Sequence, residues 1–156
     1  MDAQRLCYTS VPLERDLCVT GFPRVTLQMR SSTPDGAVYA YLEDVAPDGK
    51  VTLITEGQLR LIHRQVSSAV QTESQLRTPR TFAQADAMLM IPGEVSSLTF
   101  DLIPTSVLFK RGHCIRLALA GHDRDHFQQY SKNQVITLER NSRFKSSLEL
   151  PVEVQA

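Results

Sequence analysis

The chain has 156 residues, 42% of them hydrophobic and 22% charged, a length and balance that suit one globular domain and exclude global disorder. Seventeen basic and seventeen acidic side chains cancel, so no general electrostatic force draws the chain to nucleic acid or to an anionic membrane. The apolar runs are only a few residues long, too short to cross a bilayer as a helix.

Met1 to Arg5 leads almost directly into the first strand-like segment. That abrupt start points to a trimmed or truncated product. With no signal peptide visible, the chain is expected to be cytoplasmic. Val25, Leu27 and Met29 alternate with polar residues and predict a strand; Ser31 to Gly36 is turn chemistry. Val38, Ala40 and Leu42 then face one side of a strand, with Tyr39, Tyr41 and Glu43 on the other. Ala46-Pro47-Asp48-Gly49 predicts a hairpin into Val51–Ile54. Leu59, Leu61 and His63, opposite Arg60, Ile62 and Arg64, read as another strand. Residues 66–92 lose the alternation and read as a long crossover loop with a helical turn near Phe82–Ala87; loops of this length are usually functional or mobile. Strands return at Ser96–Ile103, with Leu98, Phe100 and Leu102 inward, then at Ser106–Phe109 and His113–Ala120. Gly112 supplies the turn before the last of these. After a polar tract come Gln134–Leu138 and Ser147–Val154. Nine or ten short strands with Pro, Gly and Asp turns and no strong helix predict an all-β antiparallel sandwich forming one domain over 1–156. A jelly roll is one way to close such strands into two facing sheets.

The residues that could carry chemistry are few. His122, Asp123, Asp125 and His126 could ligate a metal, but they follow a strand and a glycine, so the two imidazoles are expected on a loop where they need not converge. No metal and no cofactor is therefore expected. His113 with Asp44 or Asp101 and a serine would be the parts of a triad. No serine, however, lies between glycines in a G-x-S-x-G elbow. His113 is expected instead to hydrogen-bond backbone at its turn, and no catalytic residue is assigned. Cys7, Cys18 and Cys114 have no metal spacing and read as reduced, small apolar residues; a Cys7–Cys18 disulfide across neighbouring strands stays open. Tyr39 and Tyr41, on one outer face, could form a small sugar-stacking platform. Arg60, Arg64 and Arg116 are charges set in strand patterns: a solvated sheet face, or part of a polar surface against another domain.

Three ordered segments resemble one family. Tyr8-Thr9-Ser10-Val11-Pro12-Leu13-Glu14-Arg15-Asp16 through Gly21 is similar to its "Y-T-S-x-P-L-x-x-D-x-x-[VI]-x-G" opening. Leu42-Glu43-Asp44-Val45-Ala46-Pro47-Asp48-Gly49 is similar to "L-x-D-V-x-P-D-G". Lys110-Arg111-Gly112-His113-Cys114-Ile115-Arg116-Leu117 resembles "K-x-G-H-x-[IL]-R-[LV]". The family is the C-terminal domain of the cocaine esterase and X-Pro dipeptidyl-peptidase serine hydrolases, and the match runs over roughly residues 6–127. The resemblance implies a galactose-binding-like jelly roll that is not itself catalytic. It implies a parent serine hydrolase acting on an ester or on an amide after proline, and a partner: that enzyme's α/β-hydrolase catalytic domain. The family's "A-G-A-D-x-D-H-F" pattern makes Asp123, Asp125, His126 and Phe127 ordinary turn residues. With Arg60, Arg64 and Arg116 they are the candidate interdomain surface. An independent carbohydrate- or ligand-binding module is the alternative. Weak self-association is expected through a face holding Met88, Leu89, Met90 and Phe127–Tyr130.

Overall fold

The computed structural model describes residues 5–67, 77–123 and 131–153. Ten strands carry the fold: β1 (Leu6–Thr9), β2 (Leu17–Gly21), β3 (Arg24–Ser31), β4 (Ala37–Val45), β5 (Val51–Arg60), β6 (Ser96–Asp101), β7 (Thr105–Phe109), β8 (Cys114–Ala120), β9 (Ile136–Leu138) and β10 (Ser147–Glu149). Among the described residues there is no α-helix, only short 3₁₀ turns at Leu61–His63 and Gln84–Asp86.

Among the described residues all pairings are antiparallel. One sheet runs β1-β8-β4-β5; the facing sheet runs β10-β3-β6, with β9 also on β3; β2 and β7 form a ribbon. The pairing is nested in sequence: first strand with eighth, second with seventh, third with sixth, fourth with fifth. That nesting is the signature of a jelly roll. The chain is thus the all-β antiparallel sandwich that its alternation implies.

The inward positions are those that the period of two selects. Val25, Leu27 and Met29 of β3, Val38, Ala40 and Leu42 of β4, Leu98 and Phe100 of β6, and Ile115, Leu117 and Leu119 of β8 make one continuous core. The Pro47-Asp48-Gly49 hairpin forms as its sequence requires. Gly49 sits at φ +86°, where a side chain is disfavoured. The Asp48 carboxylate accepts the Lys50 N–H at 2.9 Å. Gly112, at φ +81°, makes the corresponding turn before β8.

Three expectations are corrected, and the cysteines are free as first read. Val51–Ile54 is not a short strand but the start of ten continuous residues, β5. The strand read through Leu59–Arg64 ends at Arg60, because Leu61 turns to donate to the Gly36 carbonyl and both Leu61 and Ile62 become buried. Tyr39 and Tyr41 do point to the outer face of β4, but they are only 4% and 7% exposed and pack with Ala37 and Ala118 in a second apolar cluster. They offer no stacking platform. Cys7 and Cys18 lie on strands of different sheets, opposite Ala118 and Leu108, and all three cysteines are free thiols.

Gly57 lets β5 cross the β6–β7 connection at backbone distance. A Cβ there would lie 2.8 Å from Leu102 Cδ2 and 2.9 Å from the Asp101 carbonyl oxygen. The crossing is tied by the Ile103 N–H to the Glu56 carbonyl and by the Thr55 hydroxyl to the Ile103 carbonyl.

Candidate functional site

The charged residues read from the sequence are drawn into internal pairs. β4 and β8 place Glu43 directly opposite Arg116. Arg116 Nε donates to Glu43 Oε2 at 2.5 Å, and Arg5 Nη1 donates to the other oxygen at 3.2 Å. The Glu43 side chain is 6% exposed and that of Arg116 14%. This is a largely desolvated charge cluster, in which both carboxylate oxygens find a guanidinium. The Arg5 guanidinium also lies 4.9 Å from the centre of the Tyr41 ring. The Tyr41 hydroxyl donates to Asp123 Oδ2 at 2.5 Å. Burial first, then that hydrogen bond and the Asp123 charge, push the Tyr41 phenol well above its ordinary range, so it is a neutral donor at every physiological pH.

Arg60, at the end of β5, grips Asp35 with Nε and Nη2, the shorter contact being 2.6 Å; Asp35 also accepts the Gly36 N–H. Arg64 lies past the 3₁₀ turn, so strand parity does not relate it to Arg60. Its guanidinium donates to the carbonyls of Leu61, Met88 and Leu89. Burial lowers its pKa. Of the seven expected surface residues, Arg60, Arg64, Arg116 and Asp123 are therefore engaged within the domain. Asp125, His126 and Phe127, and with them the second half of the His122–His126 cluster, lie outside the described residues.

His113 departs from its expected role. Its Nδ1 donates to Asp44, 2.9 Å from both carboxylate oxygens, while the backbone bonds of its turn are made by its own N–H to Lys110 and its carbonyl from Leu13. Asp101, the other acid considered with it, belongs elsewhere: it accepts from Arg24 Nε at 2.8 Å and from Thr78. His113 and Asp44 thus meet, yet among the described residues no serine hydroxyl bonds the imidazole.

One organising residue gives no signal in the sequence. Arg80, in the β5–β6 connection, donates to the carbonyls of His63, Arg64 and Thr99. Burial lowers its pKa, with the Asp101 charge opposing. With Thr78 held on Asp101, it staples residues 78–80 onto β6. Beyond that staple the connection turns apolar side chains outward. Phe82, at φ +53°, is 63% exposed, with Met88, Leu89 and Ile91 beside it in sequence and also exposed. A bulky residue in the left-handed region carries strain. Met90 is the exception to the expected outward face: it is buried in the main core.

The described residues thus form a β-sandwich that carries a His113–Asp44 pair, ion pairs at Arg60 and Arg116, and an outward apolar connection. Residues 1–149 match the family described as the X-Pro dipeptidyl-peptidase C-terminal non-catalytic domain, and the chain belongs to that family. It is 53% identical over 126 residues to a protein of Mycobacterium tuberculosis named as a serine esterase, covering 81% of this chain and 20% of that protein. It is 27% identical over 128 residues to the cocaine esterase of a Rhodococcus species, covering 82% of this chain and 19% of that enzyme. A solved CocE/NonD family hydrolase from Staphylococcus aureus superposes with a TM-score of 0.83 at 15% identity, over 98% of this chain and 31% of that one. An α-amino acid ester hydrolase superposes with a TM-score of 0.71 at 18% identity, over 96% and 26%. The chain spans about a fifth of the length of these sequence relatives.

Proposed function

We propose that this chain is the accessory C-terminal domain of a serine esterase and packs against that enzyme's α/β-hydrolase domain, bordering its active-site cleft. The observation that carries the proposal is the outward apolar connection, with Phe82, Met88, Leu89 and Ile91 exposed, in a domain equal to only about a fifth of its relatives' length. Exposed apolar side chains gathered on one stapled segment mark a surface that another body covers. The polar rim would come from Arg60, Arg64, Arg116 and Asp123, with Asp125, His126 and Phe127 following in sequence. The parent acts on esters rather than on amides after proline, in keeping with the names of its sequence relatives. The domain supplies surface and support, and the nucleophile comes from its partner.

The test has two parts. The isolated chain is expected to show no turnover of p-nitrophenyl acetate or Ala-Pro-p-nitroanilide; hydrolysis abolished by a serine-directed inhibitor would overturn the non-catalytic role. Hydrogen exchange is then compared for the chain alone and mixed with the catalytic portion of its own parent protein. Protection centred on residues 82–91 is expected. Protection confined to other surfaces would remove this docking face.

A further inference from the structure

The two edge strands β1 and β10 bracket a half-open cleft of about 830 Å³, on the side of the sandwich where neither sheet is closed. Its floor is the core itself: Leu27 of β3, Leu117 and Leu119 of β8, with Leu148 and Leu150 at the far wall. The opposite lip is built from residues 139–142 and 144–147, polar but for Phe144, and carries the exposed Arg140 and Lys145. A volume in the range of roughly 300–1,000 Å³, an aliphatic lining and a few polar groups at one end are the attributes of a small-molecule site.

The charges of the lip indicate the ligand. Among the described residues Glu139 is the only acid in the lining, and it is committed to Arg30 Nε at 2.6 Å and to the Asn141 amide. Arg140 lies over the Tyr8 ring at 5.3 Å. Among the described residues, neither Arg140 nor Lys145 has a carboxylate within ion-pairing distance. The mouth therefore holds two exposed cations above an aliphatic trough. A sugar would need an open aromatic face, and those of Tyr8 and Phe144 are covered by Arg140 and Arg143.

We propose that this cleft binds an amphipathic carboxylate, with its hydrocarbon tail laid on the leucines and its head group between Arg140 and Lys145. The proposal is independent of the role assigned to the β5–β6 connection, which lies on other strands.

Dodecanoate, kept below its micelle-forming concentration, is titrated into the chain and followed by calorimetry, thermal unfolding and leucine-methyl NMR. One molecule is expected to bind per chain and to raise the unfolding midpoint, because it binds only the folded state. Shifts are expected at Leu27, Leu117, Leu148 and Leu150. Dodecanol, with the same tail and no charge, is expected to bind about tenfold more weakly or worse, as is dodecanoate to the Arg140→Glu/Lys145→Glu variant. Both side chains are exposed, and the dodecanol arm stands on wild type alone. Four outcomes would overturn the proposal: a lowered midpoint with no saturation, which is detergent action; equal affinity for dodecanol; shifts mapping to residues 82–91; or the cleft leucines shifting with protein concentration alone, which would make a second copy of the chain the occupant.

Discussion

Glu43 is the residue on which the outer face of the β1-β8-β4-β5 sheet depends. It stands between the guanidiniums of Arg116 and Arg5 with almost no contact to water. Removing one member of a desolvated charge cluster leaves the others poorly compensated, at a cost of about 3–5 kcal/mol. Glu43→Gln is expected to lose stability toward the low end of that range, since it keeps the shape and one acceptor oxygen. Adding Arg116→Met should recover part of the loss. Urea unfolding of the two single variants and the double variant checks this, and strict additivity would count against the coupling. Tyr41 offers a pH test. Its phenol is held neutral in the fold, so the folded state keeps a proton that an unfolded tyrosine releases above about pH 10. The contribution is therefore complete below that pH and declines as pH rises past it. Tyr41→Phe is expected to cost about 1–2 kcal/mol at pH 8, through loss of the hydrogen bond to Asp123. The gap between variant and wild type should narrow at pH 10.5, and a gap that widens would contradict the assignment.

At the scale of elements, the crossing of β5 over the β6–β7 connection has the least room. Alanine in place of glycine within a strand ordinarily helps by limiting the unfolded chain. At Gly57 the sign should reverse, because the added carbon meets backbone atoms of Asp101 and Leu102 that cannot move aside alone. Gly57→Val is expected to cost about 3 kcal/mol and Gly57→Ala about 1–2 kcal/mol, read from thermal unfolding midpoints. The sequence reveals part of this architecture. β3, β6 and β8 are legible because their cores alternate cleanly, and the β4–β5 hairpin because Pro-Asp-Gly fixes its turn. The length of β5 is hidden by Thr52, Thr55, Glu56 and Gln58, polar residues that weaken the pattern. Alternation assigns residues to two faces but does not say whether the second face is covered, so the burial of Tyr39 and Tyr41 is not legible. The candidate surface is half legible for the same reason: the charges stand out, but their partners Asp35 and Glu43 and the reach of Arg80 are set by tertiary contacts between distant segments.

At the scale of the whole molecule, a neutral chain lacks the net repulsion that keeps copies apart, and the β5–β6 connection presents Phe82, Leu89 and Ile91 to water. Weak self-association is therefore expected at high concentration. Sedimentation velocity should show it for wild type and not for Phe82→Ser/Leu89→Ser; a monomeric wild type at millimolar concentration would count against it. The nested pairing has a further consequence, for the order in which the protein can be made. β1 has no partner until β8 exists, since Leu6 pairs with Leu119, and only the β4–β5 hairpin can form from neighbouring sequence. During synthesis the first strand must wait, its edge unsatisfied, while almost the whole domain is translated. Pairings so remote along the chain fold on the slow side, in milliseconds to about seconds, and leave partly built sheets exposed to wrong partners. The sandwich thus closes late, when its eighth strand reaches its first.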